Sequence, residues 1–471
     1  MKYISTRGEA KAASFVEALL AGLAPDGGLY MPQTYPRFEP ATIANFAGAP
    51  YKDLAAAVSA PFIGDEIELP ALEEMIAAAY RSFRHPAIAP LAQLDTNLFV
   101  LELFHGPTFA FKDLAMQLLA RLIDKVLGAR GERATIIGAT SGDTGAAAVE
   151  AFAGLGHADV FILYPHGRIS EIQRRQMTTV RADNVYAIAI EGTFDDAQAR
   201  IKAMFNNPAL RERLNLCGIN SINFARILFQ AVYYFTSAGV LGAPARSISF
   251  VVPTGNFGDI FAGWIAKRLG LPIDRLVIAT NSNDILKRAL ESGRYSLKNV
   301  QPTQSPSMDI QVSSNFERLL FEASGRNGEA IDHLMMQLRQ SGEFSIETAP
   351  LEKIRAEFDA YSATELETTH EIKRTWQDAG YLLDPHTAVG VSAARKLPSS
   401  KSPVVVLGTA HPGKFPGAIA QALGAPEPPP EALARLLKRE EKFWLLPNDQ
   451  AEIEHFIRAR SAQPTQTAHE R

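Results

Sequence analysis

The chain has 471 residues, which is too long for a single hydrophobic core, so we expect two or three domains. Its 47 Lys and Arg residues against 51 Asp and Glu residues give a net charge of −4, which argues against a nucleic-acid or membrane surface as partner. The single cysteine, Cys217, excludes an intrachain disulfide and a Cys-based zinc site, and no metal site is predicted. No apolar run reaches ~18 residues and the N-terminus lacks a signal-peptide core, so we expect a cytoplasmic protein.

Residues 1–92 are predicted to form a mainly helical N-terminal region. Apolar patterns typical of helices cover residues 15–23 and 71–83. Residues 85–91 (HPAIAPL) contain two prolines and are expected to be extended, as a linker would be. We therefore place the end of this region near residue 92.

From about residue 93 onward, short apolar segments alternate with helical patterns. The predicted strands are residues 97–104, 134–140, 159–165, 185–190, 248–254, 275–280 and 403–409. Such alternation predicts an α/β protein with parallel sheets. We expect two open, mostly parallel-sheet domains at 93–240 and 241–471, with a helical insertion at about 310–380 and a frayed end, SAQPTQTAHER.

The stretch HGPTFAFKD, residues 105–113, follows the first of these strands. A helix is predicted over residues 108–127, with Lys112 in its first turns. The positive end of the helix dipole favours the neutral amine of a lysine, and a neutral lysine can form a Schiff base with an aldehyde cofactor. The ordinary alternative is a surface lysine, and three further motifs bear on that choice.

The second motif, GATSGDTGAAA at residues 138–148, is a turn between a predicted strand and a helix. The hydroxyls of Thr140 and Ser141 and the N–H groups of Gly142, Asp143 and Thr144 could hold a carboxylate or phosphate there. The alternative is a capped helix start, with Ser141 or Asp143 as the N-cap.

The third motif, PTGNFGD at residues 253–259, is again a strand followed by a helix. Gly255 and Gly258 bracket Asn256 and Phe257, whose amides could form an anion-binding nest. The motif lacks the Lys-Ser/Thr pair of a Walker sequence and the chain has no dinucleotide fingerprint, so a tight turn is the alternative. Asp259 adds negative charge, and we expect its side chain to point away or to accept a helix N–H.

The fourth motif, LGTAHPGKFP at residues 407–416, places the Thr409 hydroxyl at the end of a strand. His411 is expected to be structural, whereas Lys414 could be solvated or could bind an anion. All four motifs follow the C-terminal ends of predicted strands, where α/β folds bind ligands. Together they suit a phosphorylated aldehyde cofactor and an amino-acid substrate.

The chain resembles the threonine synthases, in the tryptophan-synthase-β-like (fold type II) group of pyridoxal 5'-phosphate (PLP) enzymes. The resemblance rests on YISTRG, PDGGLYMP, HGPTFAFKD, ATSGDTGAAA, ISEIQRRQMTT, INSINFARI, VPTGNFGDIFAG and TAHPGKFP. These motifs occur in the family's order over nearly the whole chain. The resemblance implies a cofactor cleft between the two domains.

The resemblance also implies a role for each motif. Lys112 would be the catalytic lysine that forms a Schiff base with PLP, and Thr409 would bond the pyridine nitrogen. The PLP phosphate would be held by Gly255, Asn256, Phe257, Gly258 and Asp259. The substrate carboxylate and the ring edge would be met by Thr140, Ser141, Gly142, Asp143 and Thr144. Asp143 stands where many relatives in the wider fold group carry asparagine.

The implied activity is conversion of O-phospho-L-homoserine and water to L-threonine and phosphate, the last step of threonine biosynthesis. For the substrate phosphate we consider Arg174, Arg175, Lys414 and the polar residues 305–307. Another fold type II lyase, such as a serine/threonine dehydratase or a related phospholyase, is the first alternative, and a non-catalytic ligand-binding relative is the second. We expect a monomer or a homodimer.

Overall fold

The structure of the chain is a computed structural model that describes residues 1–218 and 221–461. The first two residues of the INSINFARI motif and all but the first residue of the predicted frayed end therefore lie outside the described residues. Among the helices of the described part, none is long and apolar enough to cross a membrane.

The described residues form fifteen strands. They are Tyr3–Ser5 (β1), Tyr30–Pro32 (β2), Leu91–Asp95 (β3), Leu98–Glu102 (β4), Ala134–Ala139 (β5), Ala158–Pro165 (β6), Val185–Ile190 (β7), Leu216–Gly218 (β8), Ile248–Pro253 (β9), Ile273–Thr280 (β10), Arg294–Ser296 (β11), Glu343–Ser345 (β12), Phe358–Ser362 (β13), Val404–Gly408 (β14) and Trp444–Leu446 (β15). All seven strands predicted from the sequence are present.

Twenty α-helices are found over the same described residues. They are Phe15–Ala21 (α1), Pro40–Asn45 (α2), Tyr51–Ile63 (α3), Leu69–Tyr80 (α4), Lys112–Arg130 (α5), Asp143–Phe152 (α6), Glu171–Thr178 (α7), Phe194–Phe205 (α8), Pro208–Leu214 (α9), Phe224–Val240 (α10), Gly258–Arg268 (α11), Ile285–Ser292 (α12), Phe316–Ala323 (α13), Gly328–Ser341 (α14), Thr348–Glu357 (α15), Glu365–Ala379 (α16), Pro385–Ala394 (α17), Pro416–Leu423 (α18), Glu431–Leu436 (α19) and Gln450–Arg460 (α20).

The first of two compact units contains residues 1–18, 23–115 and 221–428. Its main sheet has the strand order β13-β10-β9-β14-β4-β3, and every pair is parallel except β3 with β4. Val405 of β14 lies opposite both Phe99 of β4 and Phe250 of β9, which fixes the register of the centre. Every residue of β9 is buried, as expected for a strand covered on both faces.

The second unit contains residues 19–22, the described part of 116–220, and residues 429–461. Its sheet has the order β15-β7-β6-β5-β8 and is parallel throughout. The core on this sheet is built by apolar side chains that include Phe161, Ile188 and Met204, together with Ile453 and Ile457 of α20. The sequence-based prediction of an α/β protein with mostly parallel sheets and a helical N-terminal region is therefore confirmed.

The division of the chain differs from the predicted boundaries at residues 92 and 240. Residues 98–102 of β4 pair with β14 and so belong to the sheet that also contains β9, whereas β5 belongs to the other sheet. The C-terminal segment returns to the second unit because β15 pairs with β7. In the predicted helical insertion, residues 358–362 form β13 and extend the six-stranded sheet beside β10.

Candidate active site

Three of the four sequence motifs follow neighbouring strands of the six-stranded sheet. The strands β9, β14 and β4 are adjacent and parallel, and they end at Pro253, Gly408 and Glu102. The segments that follow them carry the loop 254–257, Thr409 and Lys112. Because the ends of parallel strands meet at one edge of a sheet, these groups converge on the same edge of the first unit.

Lys112 is the first residue of α5, and a capped turn precedes it. The Asp113 carboxylate accepts hydrogen bonds from the N–H and the hydroxyl of Thr108, each at 2.7 Å. Phe109 adopts a positive φ of 58°, which is outside the helical region. The helix therefore begins at Lys112 rather than near Thr108 as predicted, and the lysine occupies its positive end.

The main chain before Lys112 pairs with the segment that carries Thr409. The N–H of Phe111 donates to the carbonyl of Thr409 at 2.9 Å, and the N–H of His411 donates to the carbonyl of Phe109 at 3.1 Å. These two bonds fix the lysine beside the end of β14.

The loop 254–257 has the features of an anion nest. Phe257, the N-cap of α11, has a φ of 65°, so the chain turns its amides inward. Over the described residues, no group accepts a hydrogen bond from the N–H of Gly255, Asn256 or Phe257. A Cβ on Gly255 would lie 2.8 Å from the carbonyl oxygen of Ser307, so only glycine fits there.

Asp259 faces two tyrosines of α10. Tyr233 donates its hydroxyl to Oδ1 at 2.5 Å, and Tyr234 donates to the same oxygen at 3.2 Å. Oδ2 is buried and has no hydrogen bond within the described chain. Burial raises the pKa of Asp259 to about 7, although the tyrosine hydrogen bonds and the charge of Lys112 lower it. The side chain thus accepts hydroxyls rather than a helix N–H.

Thr409 is buried at the end of β14, and the hydroxyl of Thr387 holds its main chain. Its N–H donates to Oγ1 of Thr387 at 3.3 Å. Thr387 in turn donates its hydroxyl to the carboxylate of Asp384, the N-cap of α17. Beside it, His411 is half-buried against the rings of Phe104 and Phe109, and this partial burial lowers its pKa to about 4, consistent with the predicted structural role.

Arg226 is a buried cation that is not among the site residues predicted from the sequence. Only 3% of the residue is exposed, and its Nε and Nη1 have no hydrogen-bond partner in the described part of the chain. Burial lowers its pKa to about 10, so the guanidinium keeps its charge at pH 7. Gln230 and Tyr233 lie one and two turns further along α10, and Tyr233 contacts Asp259, which places Arg226 on the same helix face.

The cations considered from the sequence all have partners. Arg174 pairs with Glu441 at 2.8 Å, and Arg175 pairs with Glu171 at 2.9 Å. Lys414 is fully buried and donates to the carbonyl of Thr108 at 2.9 Å. Residues 305–307 take part in a polar network in which the Asn281 side chain donates to the Ser305 hydroxyl.

The motif at residues 138–148 lies in the second unit, between β5 and α6. The hydroxyl of Thr140 accepts the N–H groups of Gly142 at 3.0 Å and of Gly145 at 2.9 Å. Asp143 is buried and accepts a hydrogen bond from Gln173 at 3.0 Å. Gly142 precedes the helix without a side-chain cap, so neither Ser141 nor Asp143 is the N-cap. Ser141 is exposed, and Thr144 lies in the first turn of α6.

Sequence signals for the missed residues were present but unspecific. Arg226 lies in the INSINFARI motif, where Asn223 caps α10, but an arginine in a first helical turn is ordinarily solvated. Asp384 and Pro385 form a typical helix start, and nothing in the sequence indicates that Thr387 reaches Thr409. Both findings depend on contacts between segments far apart in sequence.

Comparison with known proteins gives the class of enzyme first. A family model described as pyridoxal-phosphate dependent enzyme matches residues 83–409, more than half of the chain. Models described as threonine synthase N terminus and threonine synthase, C-terminal match residues 2–80 and 387–457. The chain is thus a PLP-dependent enzyme with an α/β fold.

Individual relatives narrow the class to one family. The threonine synthase of Pseudomonas aeruginosa is 51% identical over 459 residues, covering 97% of this chain and 98% of its own. The structure of PLP-bound threonine synthase from Brucella melitensis matches with a TM-score of 0.96 and 57% identity, covering 98% of this chain and 99% of that one. Yeast threonine synthase matches with a TM-score of 0.93 and 39% identity, covering 98% of each chain. The chain belongs to the threonine synthase family.

Proposed function

We propose that this enzyme converts O-phospho-L-homoserine and water to L-threonine and phosphate, with PLP bound at the shared edge of β9, β14 and β4. The observation that supports this most directly is the convergence of Lys112, the loop 254–257 and Thr409 on three adjacent strand ends. A lysine, an anion nest and a hydroxyl are the groups that the aldehyde, phosphate and ring nitrogen of PLP require.

The residues of the first unit fit the cofactor. The open N–H groups of Gly255, Asn256 and Phe257 would hold the phosphate, with Gly258 at the positive end of α11. Lys112 would bond covalently to the aldehyde, and the hydroxyl of Thr409 would face the pyridine nitrogen. Asp259 does not serve the phosphate directly; its contacts to Tyr233 and Tyr234 hold the first turn of α11.

Lys112 is the residue that moves protons. When bound, PLP withdraws electrons from the substrate's Cα and so makes its proton acidic. With the substrate bound, the free amine of Lys112 would accept the Cα proton and return a proton at Cβ. Its place at the start of α5 favours the neutral form that this task needs.

Arg226 is the residue we assign to the substrate phosphate. A buried guanidinium whose Nε and Nη1 lack acceptors costs free energy unless an anion binds it. A phosphate suits this group because its oxygens can accept two parallel hydrogen bonds from the planar guanidinium. The positive charge also stabilises the phosphate as it leaves Cγ. Arg226 replaces Arg174, Arg175 and Lys414 as the candidate because those three are already partnered.

The turn after β5 is proposed to receive the substrate carboxylate. Ser141 is exposed and, with the N–H groups at the start of α6, offers donors to an anion. Thr140 and Gly142 shape the turn through their mutual hydrogen bond. The side-chain amide of Gln173 donates a hydrogen bond to the carboxylate of Asp143, so the negative charge of Asp143 faces this donor.

The assignment is tested by replacing Lys112. Lys112→Ala should abolish the absorption band of the bound cofactor and the release of phosphate from O-phospho-L-homoserine. Lys125→Ala, an exposed lysine of the same helix, is the matched control and should keep both. Undiminished phosphate release by Lys112→Ala would refute the role of this lysine.

The products decide between this reaction and that of a related lyase. Threonine should appear in equal amount to phosphate, measured by amino-acid analysis and a phosphate assay on the same sample. A 2-oxo acid with ammonia, in place of threonine, would contradict the proposed reaction while leaving PLP dependence intact.

A further inference from the structure

One buried carboxylate, at the start of α17, has no part in the proposed mechanism. Asp384 is 1% exposed and caps the helix by accepting the N–H groups of His386 at 2.9 Å and Thr387 at 3.3 Å. Its oxygens also accept the ring Nδ1–H of His386 at 2.8 Å and the hydroxyl of Thr387. A helix cap needs only a bond to the backbone, so the two side-chain bonds require a separate explanation.

The hydrogen bond from Thr387 connects Asp384 to Thr409. Because Thr387 donates its hydroxyl hydrogen to Asp384, its oxygen is left as an acceptor. That oxygen accepts the N–H of Thr409 at 3.3 Å. The Thr409 carbonyl accepts the N–H of Phe111, the residue before Lys112, at 2.9 Å. The carboxylate is thus one side chain away from the threonine at the end of β14.

The hydrogen bond from His386 connects Asp384 to Ser307 and so to the loop 254–257. With Nδ1–H donated to Asp384, the Nε2 atom of His386 is an acceptor, and it takes the N–H of Ser307 at 3.3 Å. The Ser307 carbonyl lies directly behind Gly255, where a Cβ would come within 2.8 Å of it. The position of residue 307 therefore sets how far the loop 254–257 can move back.

We propose that Asp384 is a positioning residue for the bound cofactor, holding Thr409 through Thr387 and the backing of Gly255 through His386. The inference rests on the proposed binding of PLP by Thr409 and the loop 254–257. Three further observations support it over a plain helix cap: the carboxylate is fully buried, both of its oxygens are used twice, and each side chain it fixes continues to a different segment of the site.

Two variants test separately the contact of Thr387 with Thr409 and the contact of His386 with Ser307. Thr387→Val removes the acceptor for Thr409 and should shift the absorption maximum of the bound cofactor, which responds to the ring nitrogen, while the PLP dissociation constant changes less than about threefold. His386→Phe removes the acceptor for Ser307 and should raise that constant about tenfold, the loss of one hydrogen bond, while leaving the absorption maximum in place. Thr387→Ser keeps the hydroxyl and should resemble the wild type.

Asp384→Asn should produce at least one of the two changes, because its amide keeps one acceptor oxygen and places an NH2 donor where the other oxygen was. Combined with Thr409→Val, it should shift the spectrum no further than Thr409→Val alone, since both act on one contact. Asp449→Asn is the matched control: Asp449 is an exposed N-cap whose side chain accepts the N–H of Glu452, and its replacement should leave the spectrum and the PLP affinity unchanged.

The proposal is overturned if Thr387→Val and His386→Phe lower the melting temperature of the PLP-free protein but leave both cofactor readouts at wild-type values, as a plain cap would. Additive spectral shifts in the double variant would also overturn it. Failure of the wild-type protein to bind PLP would instead refute the proposed function on which the inference rests.

Discussion

Two buried arginines of the first unit, Arg226 and Arg318, differ in what surrounds their guanidinium groups. Both lie in the first turn of a helix, both are 3% exposed or less, and burial lowers the pKa of each, to about 10 and about 9. Arg318 donates to the carbonyls of Tyr30 at 3.2 Å and Ile222 at 2.6 Å and to the side chain of Asn315. Among the described residues, Arg226 leaves both Nε and Nη1 without a hydrogen-bond partner, whereas Arg318 leaves Nε alone without one.

The difference indicates which arginine serves the fold and which serves a ligand. The donors of Arg318 connect three segments that are far apart in the sequence, so its charge stabilises the packing of the N-terminal region. The guanidinium of Arg226 makes no such connection within the described part of the chain, and a buried charge with open donors costs free energy unless an anion binds it. Burial alone is therefore a poor guide to function, whereas the partners of the buried group are informative.

The largest expected effect is on the activity of an Arg226 variant. Arg226→Leu should lower kcat/KM for O-phospho-L-homoserine about a thousandfold, equal to about 4 kcal/mol, because the substrate phosphate loses its charged partner. The free energy of unfolding should stay the same or rise, since an apolar side chain replaces an uncompensated charge. Steady-state kinetics and chemical denaturation measure the two quantities.

Arg226→Lys sharpens this expectation. It keeps the charge but loses the planar fork, so we expect activity between those of the wild type and Arg226→Leu. An Arg226→Leu enzyme that is strongly destabilised yet fully active once folded would reverse the comparison.

Arg318 should respond in the opposite way. Arg318→Met removes donors from two buried carbonyls and should lower the free energy of unfolding by about 3–5 kcal/mol, while the folded fraction keeps its kcat. Chemical unfolding at pH 7 with activity measured per folded molecule checks this. Unchanged stability would mean that Tyr30 and Ile222 find other donors.

Much of the fold could be predicted from the sequence because its strands carry local signals. The segments of β5, β7 and β9 are apolar and bounded by turn residues, and each was predicted to within a residue of its observed end. Sheet membership was not predictable, because pairing of β4 with β14 depends on contacts across about 300 residues. Residues 358–362 were predicted as helix, and tertiary pairing with β10 made them a strand.

The site shows the same limit. The location of Lys112 and of the loop 254–257 at strand ends was predictable, because strand–turn–helix patterns mark that edge of an α/β sheet. The turn at residues 138–148 carried the same pattern, yet the Thr140 hydroxyl already accepts two of its N–H groups, which no local pattern indicates. The burial of Arg226 and the partners of Asp384 likewise depend on the packing of distant segments.

Asp259 extends the comparison to a buried acid whose partners are incomplete. Its pKa of about 7 lies above the value near 4 of an unfolded chain, so folding favours the protonated form. Its contribution to stability is present below pH 4 and is lost as the pH rises through 7. Relative to Asp259→Asn, PLP-free wild-type protein should lose about 2–3 kcal/mol between pH 5 and pH 7.

Tyr233→Phe tests the cause of that pH dependence. Removing the hydroxyl that donates to Oδ1 should raise the pKa of Asp259 further, so the loss of stability should extend to higher pH. Unfolding curves at half-unit pH steps distinguish the three proteins. Parallel curves for wild type and Asp259→Asn would show that the carboxyl does not titrate in this range.

The smallest expected effect is the stabilisation of the protein by phosphate, which tests whether Arg226 binds an anion. In the PLP-loaded enzyme the cofactor phosphate would fill the loop 254–257, whereas Arg226 would still be a buried cation whose Nε and Nη1 have no partner among the described residues. Inorganic phosphate at ten times its dissociation constant should then stabilise the folded protein by about 1.4 kcal/mol. Arg226→Leu should abolish this gain in a thermal-shift titration, whereas Arg318→Met should keep it from a lower starting temperature. Equal stabilisation of wild type and Arg226→Leu would place the phosphate elsewhere and remove the distinction between the two arginines.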